Sequence, residues 1–382
     1  MNIGITCYPT FGGSGVVATE IGLSLAKLGH QIHFICYDIP RRLPGFVENI
    51  FFHEVEVREY SLFEHQPYAL SLASKMVEVS TYEKLDLIHV HYAIPHATSA
   101  YLAKQILGDR APKIITTLHG TDITLVGQDR SYLPITRFSI MESDGVTTPS
   151  QFLRSATYDK LNVPSSTPIK VIPNFVDLDR YSPASEECIN PAAHLLGVCP
   201  RKSNTRILLH VSNFRPVKRI GDVLRVFSRV HESIPSHLVL IGDGPDRSSS
   251  EALARELGIE KNVCFLGKQE SFIPWLQHAD LFLLPSELES FGLAALEAMS
   301  CGVPVIASNA QGIPEVVKHG ETGFIAEVGN WEKMADYALS ILNNKELHQN
   351  LRNNARIHAV KNYNSKNIIS MYLEFYQNVL SK

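Results

Sequence analysis

Long apolar runs are missing from this chain of 382 residues. Its apolar segments, such as 281–284, stop after a few residues, whereas a bilayer-spanning helix needs about 20. The N-terminus lacks a basic stretch followed by an apolar one, so we expect no export signal. Positive charge is not in excess either, because 35 lysines and arginines stand against 39 acids, a net charge of -4. Nucleic-acid and anionic-membrane surfaces favour a basic excess, so we predict a cytoplasmic protein that binds neither.

Paired cysteine motifs are also absent. Six cysteines are scattered without a Cys-x-x-Cys, which gives no support to a structural zinc site. Because no export signal is expected, we predict buried thiols in the reduced state. His89, His91 and His96 invite a metal interpretation, but Pro95 interrupts the element before His96. The sequence therefore predicts no metal site and no cofactor.

What the sequence does contain is a regular alternation of short apolar strands and helical patterns. A strand at 3–7 is followed by a glycine loop at 12–15, a helical stripe and a second strand at 32–36. The stripe consists of Val17, Ile21, Leu25 and Leu28. This is a βαβ unit, whose first loop lies where open parallel sheets bind ligands. The same order restarts at 207–211, so we predict two doubly wound α/β domains in tandem.

The length of the chain suits two domains of roughly 150–200 residues each. Residues 182–204 are rich in Pro, Ser, Asn and Cys without periodicity, which is typical of a boundary. We predict an N-terminal domain at 1–178, a linker at 179–204, a C-terminal domain at 205–360 and a final helix at 361–382 that packs back onto the body.

The strongest local signal is a pair of acids, Glu289 and Glu297, at the start of a helix that follows an apolar strand. Gly292 between them lets a ligand approach the backbone, and the free N–H groups of a first helical turn suit a phosphate. A carboxylate accepts hydrogen bonds, so both acids suit a hydroxyl-rich partner such as a sugar or a ribose. The plainer alternative is that Glu289 favours the helix N-terminus and Glu297 is solvated.

The segment 286–305 resembles the carboxylate-x7-carboxylate signature of the retaining family-four glycosyltransferases, which have the GT-B fold. The resemblance covers essentially the whole chain and implies two doubly wound Rossmann-like domains facing across a cleft. It implies that Glu297 holds the nucleotide ribose, that Glu289 reaches the donor sugar, and that backbone amides between them contact the sugar and phosphates. That amide platform comprises Phe291, Gly292, Leu293 and Ala294. Enzymes of this fold do not generally need a metal.

The loop 212–218 corresponds to the segment in which the family carries the cations that bind the diphosphate. The family commonly has Gly-Arg here, with a lysine five residues later. This chain has Asn213 in place of that arginine, whereas Lys218 matches, and Arg215 either substitutes for the arginine or points into solvent. A second departure lies at 311–315, where the family usually has a double glycine.

Further donor contacts follow from the same resemblance. Lys268 and Gln269 would meet uracil largely through their backbone, and Gly13 in the N-terminal glycine loop would meet the diphosphate. His119 matches a family histidine that lies beside the donor sugar. The resemblance thus implies a catalytic role for His119 together with Lys218 and Glu289.

The sequences of the N-terminal motifs narrow the resemblance to family members that use UDP-N-acetylglucosamine as donor and L-malate as acceptor. The reaction of these members is the first step of bacillithiol biosynthesis. Malate carries two carboxylates and one hydroxyl, so its site needs cations and hydroxyl groups. The candidates for acceptor binding are Ser14, Tyr92, Thr116, Thr117 and Arg137.

These expectations describe a retaining UDP-sugar glycosyltransferase that forms the α-glycoside at the malate hydroxyl. No side chain is placed by the sequence as a nucleophile, so a front-face departure is favoured, with a diphosphate oxygen taking the proton. Two alternatives stay open at this point: a glycosyltransferase of the same fold with another small or lipid acceptor, and a UDP-sugar epimerase. A homo-oligomer is compatible with the sequence.

Overall fold

The structure is a computed structural model that describes residues 1–10, 12–57, 65–184 and 205–382. The chain divides into two compact units. Unit 1 consists of Met1–Asn174 together with Ser365–Lys382, and unit 2 consists of Phe175–Asn364. Most of the predicted linker, 185–204, lies outside the described residues.

Unit 1 is built on a parallel sheet of seven strands in the order β3-β2-β1-β4-β5-β6-β7. The strands are β1 (Asn2–Thr6), β2 (Gln31–Cys36), β3 (Ile50–Glu54), β4 (Leu87–His91), β5 (Lys113–Thr117), β6 (Gly145–Thr148) and β7 (Ile169–Val171). The strand order reverses between β1 and β4, and the carboxyl ends of the strands at such a switch point are where doubly wound sheets bind ligands.

The helices of the first part of unit 1 are α1 (Gly13–Lys27), α2 (Tyr68–Glu83), α3 (Thr98–Leu107), α4 (Thr121–Thr124), α5 (Leu133–Met141) and α6 (Gln151–Leu161). Helix α1 buries Val17, Ile21 and Leu25 as predicted. The prediction is wrong for Leu28, which is 59% exposed. Helix α1 ends at Lys27, and Gly29 turns the chain away with a φ of 85°.

Unit 2 is built on a second parallel sheet, in the order β10-β9-β8-β11-β12-β13. Its strands are β8 (Arg206–Val211), β9 (Ser236–Ile241), β10 (Val263–Phe265), β11 (Leu281–Leu284), β12 (Val305–Ser308) and β13 (Gly323–Ala326). Its helices are α7 (Ile220–His231), α8 (Arg247–Glu256), α9 (Ile273–His278), α10 (Leu293–Ser300), α11 (Ile313–Val316), α12 (Trp331–Asn343) and α13 (Lys345–Asn362).

The core of unit 2 follows from its apolar periodicity. Helix α7 buries Val223, Val226, Phe227 and Val230, the four residues of one helical stripe. All four residues of β11 are buried, as expected for a central parallel strand covered on both faces. Full burial of one such side chain contributes about 1.5–3 kcal/mol. Within the described part of the chain, no helix is long and apolar enough to cross a membrane.

The last helix, α14 (Ser365–Leu380), belongs to unit 1. Tyr376 is fully buried, and its hydroxyl is hydrogen-bonded to Nδ1 of His89 on β4 at 2.8 Å. Gly145 on β6 leaves room for the ring of Phe375, which a Cβ at that position would meet at 2.8 Å. The C-terminal segment therefore completes the core of the N-terminal unit.

Four of the six cysteines lie among the described residues, and Cys188 and Cys199 lie outside them. Cys7, Cys36 and Cys301 are buried free thiols, as predicted. The prediction is wrong for Cys264, which is disulfide-bonded. Cys264 lies on β10, the edge strand of its sheet, and is only partly buried, whereas the three free thiols are fully buried.

Candidate active site

The two charged side chains predicted to meet the diphosphate and the donor sugar are in direct contact in unit 2. Nζ of Lys218 donates a hydrogen bond to Oε2 of Glu289 at 2.6 Å, and the side chains are 18% and 19% exposed. One contact uses one of the three N–H donors of the ammonium and leaves further lone pairs on the carboxylate. The pair can therefore bind a ligand that carries both negative charge and hydroxyl groups.

Lys218 is positioned by the loop that follows β8. His210 on β8 donates from Nδ1 to the carbonyl of Leu283 at 2.8 Å, and its Nε2 lies 2.8 Å from the hydroxyl of Ser212. Burial lowers the pKa of His210 to about 4, so this ring is neutral at pH 7 and accepts from Ser212. The loop also binds the one that carries Glu289, because the N–H of Glu287 donates to the carbonyl of Val217 at 2.8 Å.

Glu289 is held through its backbone by the segment that departs from the family pattern. Its N–H donates to Oε1 of Gln311 at 3.0 Å, and its carbonyl accepts from the N–H of Gly312 at 3.0 Å. Gln311 adopts a φ of 49°, a left-handed conformation that favours glycine. The side chain that replaces a glycine of the family thus acts as a support for Glu289.

Helix α10 begins directly beside this pair. Gly292 precedes its first residue, Leu293, with a φ of 96°, and the N–H groups of the first turn have no partner within the helix. Phe291 buries its ring edge-on against Tyr363, with centroids 5.7 Å apart, which leaves its backbone for a ligand. Glu297 lies on α10 and is 3% exposed. The helix start and two carboxylates therefore lie on one short segment.

The other predicted donor residues are on the surface of unit 2. Asn213, Arg215, Lys268 and Gln269 are all exposed. Gln269 donates from Nε2 to the carbonyl of Leu266 at 2.8 Å, which closes the turn after β10. Lys218 is the loop cation that the structure brings to Glu289, and Arg215 remains a proposed donor contact.

In unit 1, His119 joins the three histidines of 89–96 in one cluster, a partner that sequence reasoning did not assign to them. Nδ1 of His91 and Nε2 of His119 are hydrogen-bonded at 2.8 Å, and the ring of His89 lies 4.5 Å from that of His91. His96 donates from Nδ1 to the carbonyl of His91 at 2.5 Å. Burial lowers the pKa of His119 and His89 to about 3 and that of His96 to about 4, so these rings are neutral at pH 7.

Asp122 fixes the loop that presents His119. Its carboxylate accepts from the N–H groups of His119 at 3.2 Å, Gly120 at 2.9 Å and Ala93 at 3.2 Å. Burial raises the pKa of Asp122 to about 6, and the backbone donors oppose that rise by stabilising the ionised form. The sequence signal was the acid three residues after His119 at the start of α4.

The acceptor candidates separate into two groups. The hydroxyl of Tyr92 donates to that of Ser14 at 3.0 Å, and the ring of Tyr92 lies 5.1 Å from that of His119. Gly13, the first residue of α1, is exposed beside Ser14. The four residues that lie together, in the segments after β1, β4 and β5, are Gly13, Ser14, Tyr92 and His119.

The second group of acceptor candidates is less favourably placed for binding a ligand and comprises Thr116, Thr117 and Arg137. Thr116 and Thr117 are buried in β5, where their hydroxyls bond to Ser143 at 2.7 Å and to Thr147 at 2.6 Å. Because Thr116 and Thr117 are fully buried whereas Ser14 and Tyr92 are partly exposed, Ser14 and Tyr92 are the better acceptor candidates. Arg137 is exposed on α5.

Two family models match the chain. "Glycosyltransferase Family 4" matches residues 11–180, and "Glycosyl transferases group 1" matches residues 198–358. The N-acetyl-alpha-D-glucosaminyl L-malate synthase of Bacillus anthracis is 47% identical over 380 residues, covering 100% of this chain and 97% of that protein. The D-inositol 3-phosphate glycosyltransferase of Mycobacterium sp. (strain JLS) is 36% identical over 183 residues, covering 45% of this chain and 39% of that protein.

Solved structures resemble the whole chain. A glycosyltransferase from Rickettsia africae ESF-5 matches with a TM-score of 0.80 at 22% identity, covering 99% of this chain and 98% of that one. Anabaena HepE, solved in complex with UDP, matches with a TM-score of 0.79 at 20% identity, covering 99% and 100%. Both likenesses identify the fold as GT-B. With a relative 47% identical along its full length, the chain belongs to the family-four glycosyltransferases.

Proposed function

We propose that this glycosyltransferase transfers N-acetylglucosamine from UDP-N-acetylglucosamine to the hydroxyl of L-malate, with retention of the α configuration. This is the activity in the name of the Bacillus anthracis relative, and it would be the first step of bacillithiol biosynthesis. The observation that carries the proposal is the identity of 47% across the entire chain. The Lys218–Glu289 pair at the start of α10 supplies the chemistry that such a donor needs.

The donor is assigned to unit 2. Its diphosphate carries negative charge that Lys218 and the free amides at the start of α10 can balance, since a helix N-terminus attracts anions. Glu289 would accept hydrogen bonds from sugar hydroxyls, and the buried Glu297 from the ribose. Arg215 remains an outer phosphate contact of the proposed donor site. Lys268 and Gln269 remain its outer contacts for uracil.

The acceptor is assigned to unit 1. Ser14 and Tyr92 form a hydroxyl pair beside His119, and a neutral His119 can donate a hydrogen bond to a sugar hydroxyl without carrying charge. Malate adds two carboxylates, for which Arg137 is the cation proposed and the amides around Gly13 are a second source of donors.

In the proposed reaction the bond between the sugar C1 and the diphosphate oxygen breaks, and the malate hydroxyl oxygen forms a bond to C1 on the same face. The hydroxyl proton passes to a diphosphate oxygen, so UDP leaves carrying it. The largest contribution of the protein is then stabilisation of the charge that develops on UDP. We propose that Lys218 and the amides after Gly292 provide it, in a cytoplasmic enzyme.

The test is a reconstituted assay with the purified full chain. UDP-N-acetylglucosamine is offered with and without L-malate, UDP release is followed continuously, and the anomeric configuration of the product is read by NMR. We expect equal amounts of UDP and α-glycoside, formed only when both substrates are present.

Matched controls define the acceptor. Succinate has both carboxylates of malate but no hydroxyl, and D-malate has the hydroxyl in the opposite configuration, so neither should support rapid transfer. UDP release that does not depend on malate, or a β-linked product, would overturn the proposal. Faster transfer to an inositol phosphate than to L-malate would mean that the acceptor assignment is wrong and that the donor assignment still holds.

A further inference from the structure

A second group of polar side chains lies in unit 1, at the edge of the sheet away from His119. It comprises His33 on β2, His53 on the edge strand β3, and Glu83, the last residue of α2. One ligand atom from each residue lies within 4.8 Å of those of the other two. Three separate elements therefore bring two imidazoles and one carboxylate to a single point.

The register of the two strands explains the convergence. His33 pairs with Phe51 and Ile35 pairs with His53, so the side chains of His33 and His53 lie on the same face of the sheet. The His33 ring stacks on that of Phe51, with centroids 4.9 Å apart and planes inclined by 15°. This packing fixes the plane of the His33 ring before any ligand arrives.

The burial of His33 is not explained by its protein contacts alone. The residue has no exposed surface, yet its Nε2 lies buried without a hydrogen-bond partner among the described residues. Its Nδ1 lies 2.9 Å from Nε2 of His53. A buried imidazole nitrogen without a partner is costly, because its lost hydration is not replaced. An apolar residue would fill the same place at lower cost.

The donor set matches one class of ligand. Two neutral imidazoles and a carboxylate are the protein ligands of several zinc sites, in which a water takes the fourth position. Two nitrogens bound tetrahedrally at about 2.0–2.1 Å from zinc lie about 3.3 Å apart. Around one ion, the 2.9 Å between Nδ1 of His33 and Nε2 of His53 would widen by a few tenths of an ångström. The ion would replace their hydrogen bond, and Nε2 of His33 would stay outside its coordination.

We infer that His33, His53 and Glu83 form a divalent transition-metal site, best suited to Zn²⁺, which fastens the edge strand β3 and the end of α2 to the interior strand β2. The site is structural and separate from the catalytic machinery, because its residues lie on β2, β3 and α2, whereas the candidate catalytic residue His119 follows β5. A metal at this point would cross-link β2, β3 and the end of α2.

The test uses the full chain, freed of metal with a chelator and then titrated with Zn²⁺, or with Co²⁺ as a spectroscopic probe. We expect one saturable equivalent, visible d–d absorption of bound Co²⁺, and a melting temperature that rises by several degrees with Zn²⁺. Because a lost ligand weakens metal binding strongly, His53→Gln and Glu83→Gln should each lower the affinity by at least tenfold. Both side chains are partly exposed, so these variants are expected to fold.

The matched controls are Glu142→Gln, an exposed acid at the end of α5, and His278→Gln in unit 2. Both should bind Zn²⁺ as the unchanged protein does. If a ligand variant fails to fold, protection of His53 by Zn²⁺ from diethylpyrocarbonate in the unchanged protein decides the question. The inference is overturned if Zn²⁺ does not bind saturably, if the two ligand variants bind it normally, or if His53 is not protected.

Discussion

At the scale of single residues, the contact between Lys218 and Glu289 would connect binding to catalysis in the proposed reaction. The two groups neutralise each other at 2.6 Å. A diphosphate would compete for the ammonium and sugar hydroxyls would compete for the carboxylate. Their contact holds both charges in position, which is what electrostatic preorganisation requires.

Replacing Lys218 tests this role directly. We expect Lys218→Ala to lower turnover by roughly 10²–10³-fold, because one charged partner of the leaving group is removed. The melting temperature should change little, since the side chain is partly exposed and is not part of the apolar core. Initial rates with saturating donor and malate measure the effect.

The control for that substitution is Lys261→Ala, an exposed lysine in the short helical turn before β10. It should keep turnover within about twofold, as is usual for surface sites away from the chemistry. Arg215→Ala measures whether the exposed arginine shares the work of Lys218. A Lys218→Ala enzyme with nearly normal turnover would remove Lys218 from the mechanism.

A second residue-scale prediction concerns the protonation state of His119. Burial lowers its pKa to about 3, so the ring is neutral from pH 6 to 8 and acts as a hydrogen-bonding group. We expect His119→Ala to reduce kcat/KM strongly and His119→Gln to reduce it less, because an amide can still donate. The ratio of each variant to the unchanged enzyme should be constant between pH 6 and 8. A ratio that changes tenfold across that range would mean that His119 exchanges a proton in the reaction.

Part of the proposed donor site stands on one contiguous motif. Glu289, Gly292 and Glu297 stand within nine residues, so their spacing was visible without a structure. The supports of Glu289 in unit 2 and of His119 in unit 1 were not visible in the sequence. Gln311 reaches Glu289 from 22 residues away, and His91 reaches His119 from 28 residues away. Only the sheet register brings such pairs together.

At the scale of secondary-structure elements, the start of α10 depends on one backbone angle. Gly292 has a φ of 96°, which costs a residue with a Cβ roughly 1–2 kcal/mol. A Cβ there would meet no atom closer than 3.8 Å, so strain rather than collision governs a substitution. Relief of that strain would rotate the amides that follow.

We therefore expect Gly292→Ala to lower the free energy of unfolding by about 1–2 kcal/mol and also to raise KM for the nucleotide sugar. Gly320→Ala is the matched control, because Gly320 has a φ of 78° and open space around it, outside the proposed site. It should show a similar loss of stability with normal kinetics. If the two variants changed the kinetics equally, the start of α10 would have no specific role in donor binding.

The strands were predicted more accurately than their surroundings. The strands predicted at 3–7, 32–36 and 207–211 are observed within one residue of those bounds, because central parallel strands are continuous apolar runs between turns. Strand β7 ends at Val171, although the residues Ile172, Phe175 and Val176 that follow are apolar and buried. Apolar residues after that point pack in irregular structure, and composition alone does not distinguish such a segment from a strand.

At the scale of the whole molecule, the chain returns to its first unit after completing the second. A helical stripe in the last 20 residues predicted a packed helix, but its destination depends on contacts such as that between Tyr376 and His89, 287 residues apart. Unit 1 thus contains both ends of the chain, and truncation of α14 would expose the histidine cluster.

That cluster gives unit 1 a characteristic response to acid. His89, His91 and His96 have no exposed surface, and burial lowers the pKa of each, to about 3 for His89 and about 4 for His96. An unfolded histidine has a pKa of about 6.5, so between that value and the folded pKa the unfolded state binds more protons. Stability is therefore lost as pH falls below about 6.5. Asp122 acts in the opposite direction between about 6 and 3.8, because its pKa is raised in the folded state.

Simple linkage assigns each such histidine on the order of 2 kcal/mol between pH 7.5 and pH 5, so the three outweigh Asp122. Among the described residues of unit 2, His210 is the histidine whose pKa burial lowers to a comparable value, about 4. We expect the urea midpoint of unit 1 to fall further than that of unit 2 over this range, with metal removed by a chelator. Both tryptophans, Trp275 and Trp331, lie in unit 2, so their fluorescence follows that unit, while hydrogen exchange of β4 and β5 follows unit 1. Equal shifts of the two midpoints would mean that the units unfold as one, and a larger shift in unit 2 would contradict the buried neutral state of the cluster.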